Sequence, residues 1–88
     1  MQDPDAALRL AEAERAAGRP DLALMRAEGA LREHADSTPL LRLQGSLLEA
    51  RGDLAGATRA REAAIAVDPH DVAAKNDLAW SLAQEKRD

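Results

Sequence analysis

The amino-acid sequence predicts an all-helical protein made of helix hairpins. Three observations support this prediction. The apolar content comes mainly from Ala and Leu, with no Phe, no Tyr and one Trp; Gly and Pro interrupt the chain at helix-length intervals; and these interruptions recur with a constant spacing. Ala, Leu, Arg and Glu lose little side-chain freedom in a helix, so the composition favours helix over strand. We therefore expect thin, closely packed helical layers in a single small domain.

The first two predicted helices cover residues 4–17 and 20–35. The break between them is Gly18-Arg19-Pro20-Asp21, a cluster of residues that favour turns over helix. The second helix ends before Ser37-Thr38-Pro39, because proline disfavours the helical conformation in the residue before it. The turn between the two helices is short, so they should form an antiparallel hairpin.

The remaining predicted helices cover residues 39–51, 54–67 and 70–86. Gly52 is suited to the positive φ that often ends a helix, since glycine takes this conformation without a steric cost. Pro69 has no backbone N–H and therefore ends the helix before it. The third and fourth helices should form a second hairpin, and the fifth should pack against it.

A shift of about 34 residues along the chain superimposes its turns and its apolar positions. Gly18 falls on Gly52, and Ala23 falls on Ala57; we call this alignment the repeat register. Further coincidences are Ala30 with Ala64, Leu31 with Ile65, Ala11 with Gly45 and Ala79, Leu48 with Leu82, and Leu10 with Leu78. A repeat of one hairpin cannot bury its apolar face alone, and stacking of neighbours completes the core. The predicted units of the domain 1–88 are residues 4–37, 38–71 and a half repeat, 72–88.

Residues 38–71 resemble a tetratricopeptide repeat, a family whose period of about 34 residues also fits the repeat register. The positions that mark this family are occupied by Leu41, Gly45, Leu48, Gly52, Ala57, Ala64 and Pro69. The first repeat matches less completely, since Glu14 stands where the family has an aromatic residue or Leu and Ala35 where it has Pro. Residues 72–88 resemble only the first helix of a third repeat. The resemblance implies a right-handed superhelical array of about two and a half repeats that binds a protein partner.

In this family the first helices of successive repeats line a concave groove that holds a peptide or helix of a partner. The positions carried over by the resemblance are Leu8, Glu12 and Arg15, then Arg42, Ser46 and Glu49, then Asn76 and Trp80. The alternative is that these residues form ordinary solvated helix faces. Trp80 points about 200° away from Leu78 around the helix, so it should face the groove or the open end. In the repeats of this family that bind the carboxy-terminal carboxylate of a peptide, Lys and Asn stand on the first groove helix. This chain has Leu8 and Glu12 at those positions, and Glu12 would repel a carboxylate.

Other classes of function are disfavoured by charge and composition. The net charge is −4 with mixed signs, which argues against binding nucleic acid or an anionic membrane. No apolar run approaches the about 20 residues that span a bilayer. The chain has no Cys, no closely spaced His ligands and no phosphate-binding loop. We therefore expect no enzymatic activity, no cofactor and no metal, and a cytoplasmic location by default.

Two alternatives to a peptide-binding adaptor stay open. The last helix has no second helix to cover it, which favours self-association, although its Leu78 and Leu82 side is expected to pack on the second repeat. The chain is also interpretable as a fragment, serving as the docking module of a larger enzyme or of a secretion or assembly complex.

Overall fold

The computed structural model describes residues 3–87, which form five helices and no strand. The helices are α1 (Pro4–Ala16), α2 (Pro20–Glu33), α3 (Thr38–Ala50), α4 (Leu54–Val67) and α5 (Val72–Arg87). The predicted all-helical fold is confirmed, and the predicted helix ends agree closely with the structure; the largest differences are the end of α2 and the start of α5. Met1, Gln2 and Asp88, which the predicted domain includes, lie outside the described residues.

The helix ends are set by short polar side chains and by two glycines. At the start of α4, Asp53 Oδ1 accepts a hydrogen bond from the Gly56 N–H at 2.9 Å. Asp3, Ser37 and Asp71 accept equivalent bonds at the starts of α1, α3 and α5. Gly18 and Gly52 follow α1 and α3 with φ of 80° and 85°, the left-handed conformation that favours glycine.

Each helix packs against the next along the chain, and α1 also contacts α3. The approach of α3 to α4 is close at Gly45, where an added Cβ would lie 3.1 Å from Arg61 Cγ and 3.5 Å from the Ala57 carbonyl oxygen. A larger residue at position 45 would therefore push against α4. This close approach agrees with the thin, closely packed helical layers expected from the composition.

The core is made mainly of Ala and Leu in two adjoining clusters. The first consists of Ala7, Ala27, Ala30, Leu31, Leu40, Leu41, Ala64 and Ala74. The second consists of Ala11, Ala23, Leu24, Leu43 and Leu47. Leu40 and Leu47 are the largest apolar side chains that are fully buried. Many small side chains thus replace the few large anchors of a typical core of this size.

The packing of α5 differs from the prediction. Ala74 and Ser81 are its buried residues, whereas Leu78 is half-buried and Leu82 is 42% exposed. The prediction that Leu82 packs on the second repeat is therefore wrong. The repeat register explains the difference, because Ala74 and Ser81 are equivalent to Leu40 and Leu47, which are buried in α3.

Among residues 3–87, no helix is long and apolar enough to cross a membrane.

Candidate functional site

A groove of about 380 Å³ opens on one side of the helices and is lined only by α1, α3 and α5. Its lining residues are Leu8, Glu12 and Arg15 from α1, Pro39, Arg42, Leu43 and Ser46 from α3, and Asp77 from α5. Five of the eight residues predicted from the sequence line this groove: Leu8, Glu12, Arg15, Arg42 and Ser46. Pro39, Leu43 and Asp77 were not predicted.

Helix periodicity and the repeat register together place these side chains side by side. Leu8 and Glu12 are one helical turn apart on α1 and share one helix face. Arg42 and Ser46 are their equivalents on α3 in the repeat register and occupy the same face of that helix. Because α1 contacts α3 directly, the two faces adjoin and form one continuous surface.

An ion pair connects two walls of the groove. Arg42 Nε lies 3.0 Å from Asp77 Oδ2, and the two side chains are 40% and 33% exposed. At this exposure the pair contributes little to stability, about 1 kcal/mol or less. Its chemical effect is to neutralise Arg42. Among the described residues no ion pair engages Glu12 or Arg15, so these two carry the groove's uncompensated charges.

Three predicted site residues lie outside the groove lining. Glu49 is engaged by Arg61, as described below. Asn76 and Trp80 are exposed on α5, with 56% of Trp80 accessible to solvent. Asp77, which follows Asn76 directly, is the α5 residue that reaches the groove. The assignment of Asn76 and Trp80 to a partner-binding surface stays a prediction.

A buried arginine joins three helices behind the groove. Arg61 of α4 donates from Nη1 to Glu49 Oε2 of α3 at 3.0 Å and to Ser81 Oγ of α5. Its Nε is buried without a hydrogen-bond partner. Arg61 therefore fixes the position of α5 relative to α3. The sequence contains a signal that could have identified Arg61. In the repeat register Arg61 is the equivalent of Ala27, so a charged residue stands among positions that are otherwise mostly alanine.

A second ion pair fastens the first hairpin. Arg26 of α2 donates from Nε and Nη2 to the two carboxylate oxygens of Glu14 of α1, at 2.6 and 3.1 Å. These hydrogen bonds hold the pKa of Glu14 below its ordinary value and raise the pKa of Arg26. The charge at position 14, where the resemblance calls for a large apolar residue, is thus matched by a bidentate partner.

A second crevice, of about 310 Å³, is lined by α2, α3 and α4 and by the turn before α4. Within it Gln44 donates a long hydrogen bond, 3.4 Å, to Glu28. Among residues 3–87, no three His, Asp or Glu side chains converge in a way that could hold a metal ion.

No protein-family model matches the chain, and no curated protein matches it. The groove geometry and the repeat register are therefore the basis for assigning a function.

Proposed function

We propose that this protein is an interaction module of the tetratricopeptide-repeat type, and that its groove between α1, α3 and α5 holds a peptide or helix of a partner protein. The observation that carries the proposal is a groove lined by alternate helices only. Its lining is largely polar, unlike the mostly apolar lining of a small-molecule site. The lining contains no His and no Cys, which favours binding over catalysis.

The proposed arrangement of the hairpins is a right-handed superhelical array. Two features support it. Successive helices pack in chain order, and residues that are equivalent in the repeat register recur at equivalent structural positions. Gly18 and Gly52 both end a helix with positive φ, while Leu8 and Arg42 both line the groove. A shared position in each repeat is the property that creates a continuous binding surface in repeat proteins.

The groove chemistry favours a peptide that presents both charge signs around an apolar side chain. Glu12 and Arg15 offer one free charge of each sign on α1, and Leu8 and Leu43 supply apolar contact. Arg42 is already neutralised by Asp77, so it is a poor primary contact for a peptide carboxylate. A carboxylate at a chain terminus would also meet the negative charge of Glu12.

The groove assignment is tested by selecting binding peptides from a displayed library and measuring their affinity by calorimetry. Arg15→Glu reverses one free groove charge, and Ser46→Tyr fills space at the groove floor. Each should weaken binding at least tenfold, about 1.4 kcal/mol. Arg59→Glu, a matched charge reversal at an exposed residue outside the groove, should leave affinity within twofold. Unchanged binding by both groove variants, with helix content intact, would contradict the proposal.

A further inference from the structure

One face of α5 is left without a helical neighbour in the described part of the chain. This outward face of α5 is formed by Val72, Lys75, Ala79, Leu82, Ala83 and Lys86, all of which are exposed. The opposite side of the helix, with Ala74 and Ser81, is buried. Among residues 3–87, α5 packs mainly against α4, and Arg61 of α4 meets it on the Ser81 side, away from the outward face.

The repeat register shows what kind of surface this is. Ala79 is the equivalent of Gly45, and Leu82 is the equivalent of Leu48. In α3, Gly45 is the position where the backbone of α4 approaches within 3.5 Å of an added Cβ. The outward face of α5 therefore has a small residue and then a large one at the positions that α3 uses to pack against α4. The shape of this face suits the packing of another helix.

The charges of α5 are sorted between its two sides. Its two acidic residues point inward: Asp77 pairs with Arg42 at 3.0 Å, and Glu85 accepts from the Thr58 hydroxyl at 2.7 Å. Lys75 and Lys86, the only lysines in the sequence, both lie on the outward face. Their separation is about three helical turns, roughly 16 Å along the helix axis. A chain with a net charge of −4 thus presents a basic and apolar surface here.

We propose that the outward face of α5 docks an acidic amphipathic helix of a partner protein. The partner's apolar strip lies along Ala79 and Leu82, and its carboxylates meet Lys75 and Lys86. Such complementarity speeds association and selects the partner. A second copy paired through the same face would bring lysines together. An anionic bilayer fits less well, because the centre of the face is small Ala side chains that insert little apolar area.

The test uses two synthetic Ala- and Leu-rich amphipathic helices of about 18 residues, long enough to form helix in water. One carries two Glu residues eleven positions apart beside its apolar strip; the other has Gln at both positions. Isothermal titration calorimetry of the intact chain with each peptide measures the two affinities. The Glu peptide should bind at least tenfold more tightly than the Gln peptide, and added salt should reduce the difference.

Variants of the intact chain decide where the peptide binds. The double variant Lys75→Glu/Lys86→Glu should weaken binding of the Glu peptide at least tenfold. The control Arg9→Glu/Arg59→Glu makes the same charge change at exposed residues elsewhere and should change the affinity for this peptide less than twofold. Arg15→Glu should leave the affinity unchanged. If Arg15→Glu weakens the peptide as much as the lysine variants do, the peptide lies in the groove and the proposal is wrong.

Two further outcomes would overturn the proposal. Lysine-dependent binding to phosphatidylserine vesicles without binding of the Glu peptide would identify a membrane surface. A concentration-dependent dimer in sedimentation experiments that is abolished by Leu82→Glu would identify a second copy of the chain. Equal affinity for the Glu and Gln peptides would remove the role of the two lysines.

Discussion

Replacing Glu49 with Gln should destabilise the protein more than replacing its partner Arg61 with Met. The side chain of Arg61 is 6% exposed, whereas that of Glu49 is 29% exposed. Replacing the carboxylate with an amide leaves a buried cation whose remaining partners, the new amide oxygen at position 49 and the Ser81 hydroxyl, are both neutral. Removing the cation leaves a carboxylate that water reaches. The cost of breaking the pair therefore depends on which partner is lost.

The two costs follow from the burial of each group. Leaving a buried cation without its counter-charge costs about 3–5 kcal/mol. Because the Gln amide oxygen still accepts a hydrogen bond and position 49 is partly exposed, Glu49→Gln should cost about 2 kcal/mol. Arg61→Met keeps a long side chain in the same space and eliminates the buried Nε that has no partner. Its cost should stay within about 1 kcal/mol. The Ser81 hydroxyl then donates to a carbonyl of the preceding turn.

Thermal and urea unfolding followed by far-UV circular dichroism measure both costs. For a domain of this size 1 kcal/mol corresponds to about 4–8 °C, so Glu49→Gln should lower the midpoint by roughly 8–16 °C. The matched control is the exposed pair: Asp77→Asn and Arg42→Met should each cost about 1 kcal/mol or less. If Arg61→Met destabilises as strongly as Glu49→Gln, burial of the cation is not the source of the asymmetry.

Further predictions concern the backbone, the core and one titrating group. Gly29 lies inside α2 with open space around its Cβ position, so Gly29→Ala should raise the free energy of unfolding by about 0.5–1 kcal/mol. Gly52→Ala should lower it by about 1 kcal/mol in the same urea titration, because its φ is 85°. Leu40→Ala, at a fully buried position, should cost about 2–5 kcal/mol, and a loss below about 1 kcal/mol would contradict the packing. The hydrogen bonds from Arg26 hold the pKa of Glu14 below its ordinary 4.5, so their stabilisation is present above pH 4.5 and lost as pH falls through the lowered pKa. The urea midpoints of wild type and Glu14→Gln should therefore converge on acidification, and a constant difference would refute this.

Most helix ends were predictable from the sequence because local residues set them. The start of α5 shows the limit of this reasoning. The predicted start was residue 70, but Asp68 Oδ1 accepts from the His70 N–H and keeps the chain in a turn. Asp71 then caps the helix by accepting from Ala74. Two candidate capping residues stand close together here, and the sequence does not rank them.

The groove residues were predicted from the resemblance to tetratricopeptide repeats. Helix period and the repeat register explain why Leu8, Glu12, Arg42 and Ser46 lie together in the structure. Asp77 was missed because its contact with Arg42 depends on the rotation of α5, which the exposed Leu82 also shows to differ from the expectation. An ion pair between residues so distant in the sequence requires the packing of the helices to be known.

The alanine-rich core explains why ion pairs connect so many of the neighbouring helices. Alanine side chains have one size and no rotamers, so they distinguish poorly between alternative alignments of two helices. Directional pairs supply that distinction: Arg26–Glu14 joins α1 to α2, Arg61–Glu49 joins α4 to α3, and Arg42–Asp77 joins α3 to α5.

The same pairing also determines which surfaces are left to bind a partner. Asp77 and Glu85 are directed inward, where they bind Arg42 and Thr58. Neither acidic residue within α5 (Val72–Arg87) therefore lies on the outward face beside the two lysines. Inside the groove, Asp77 neutralises Arg42 and leaves Glu12 and Arg15 on α1 as the free charges. The Asp77 carboxylate thus affects two surfaces. It neutralises Arg42 in the groove, and because it points inward it does not offset the positive charge of the outward face of α5.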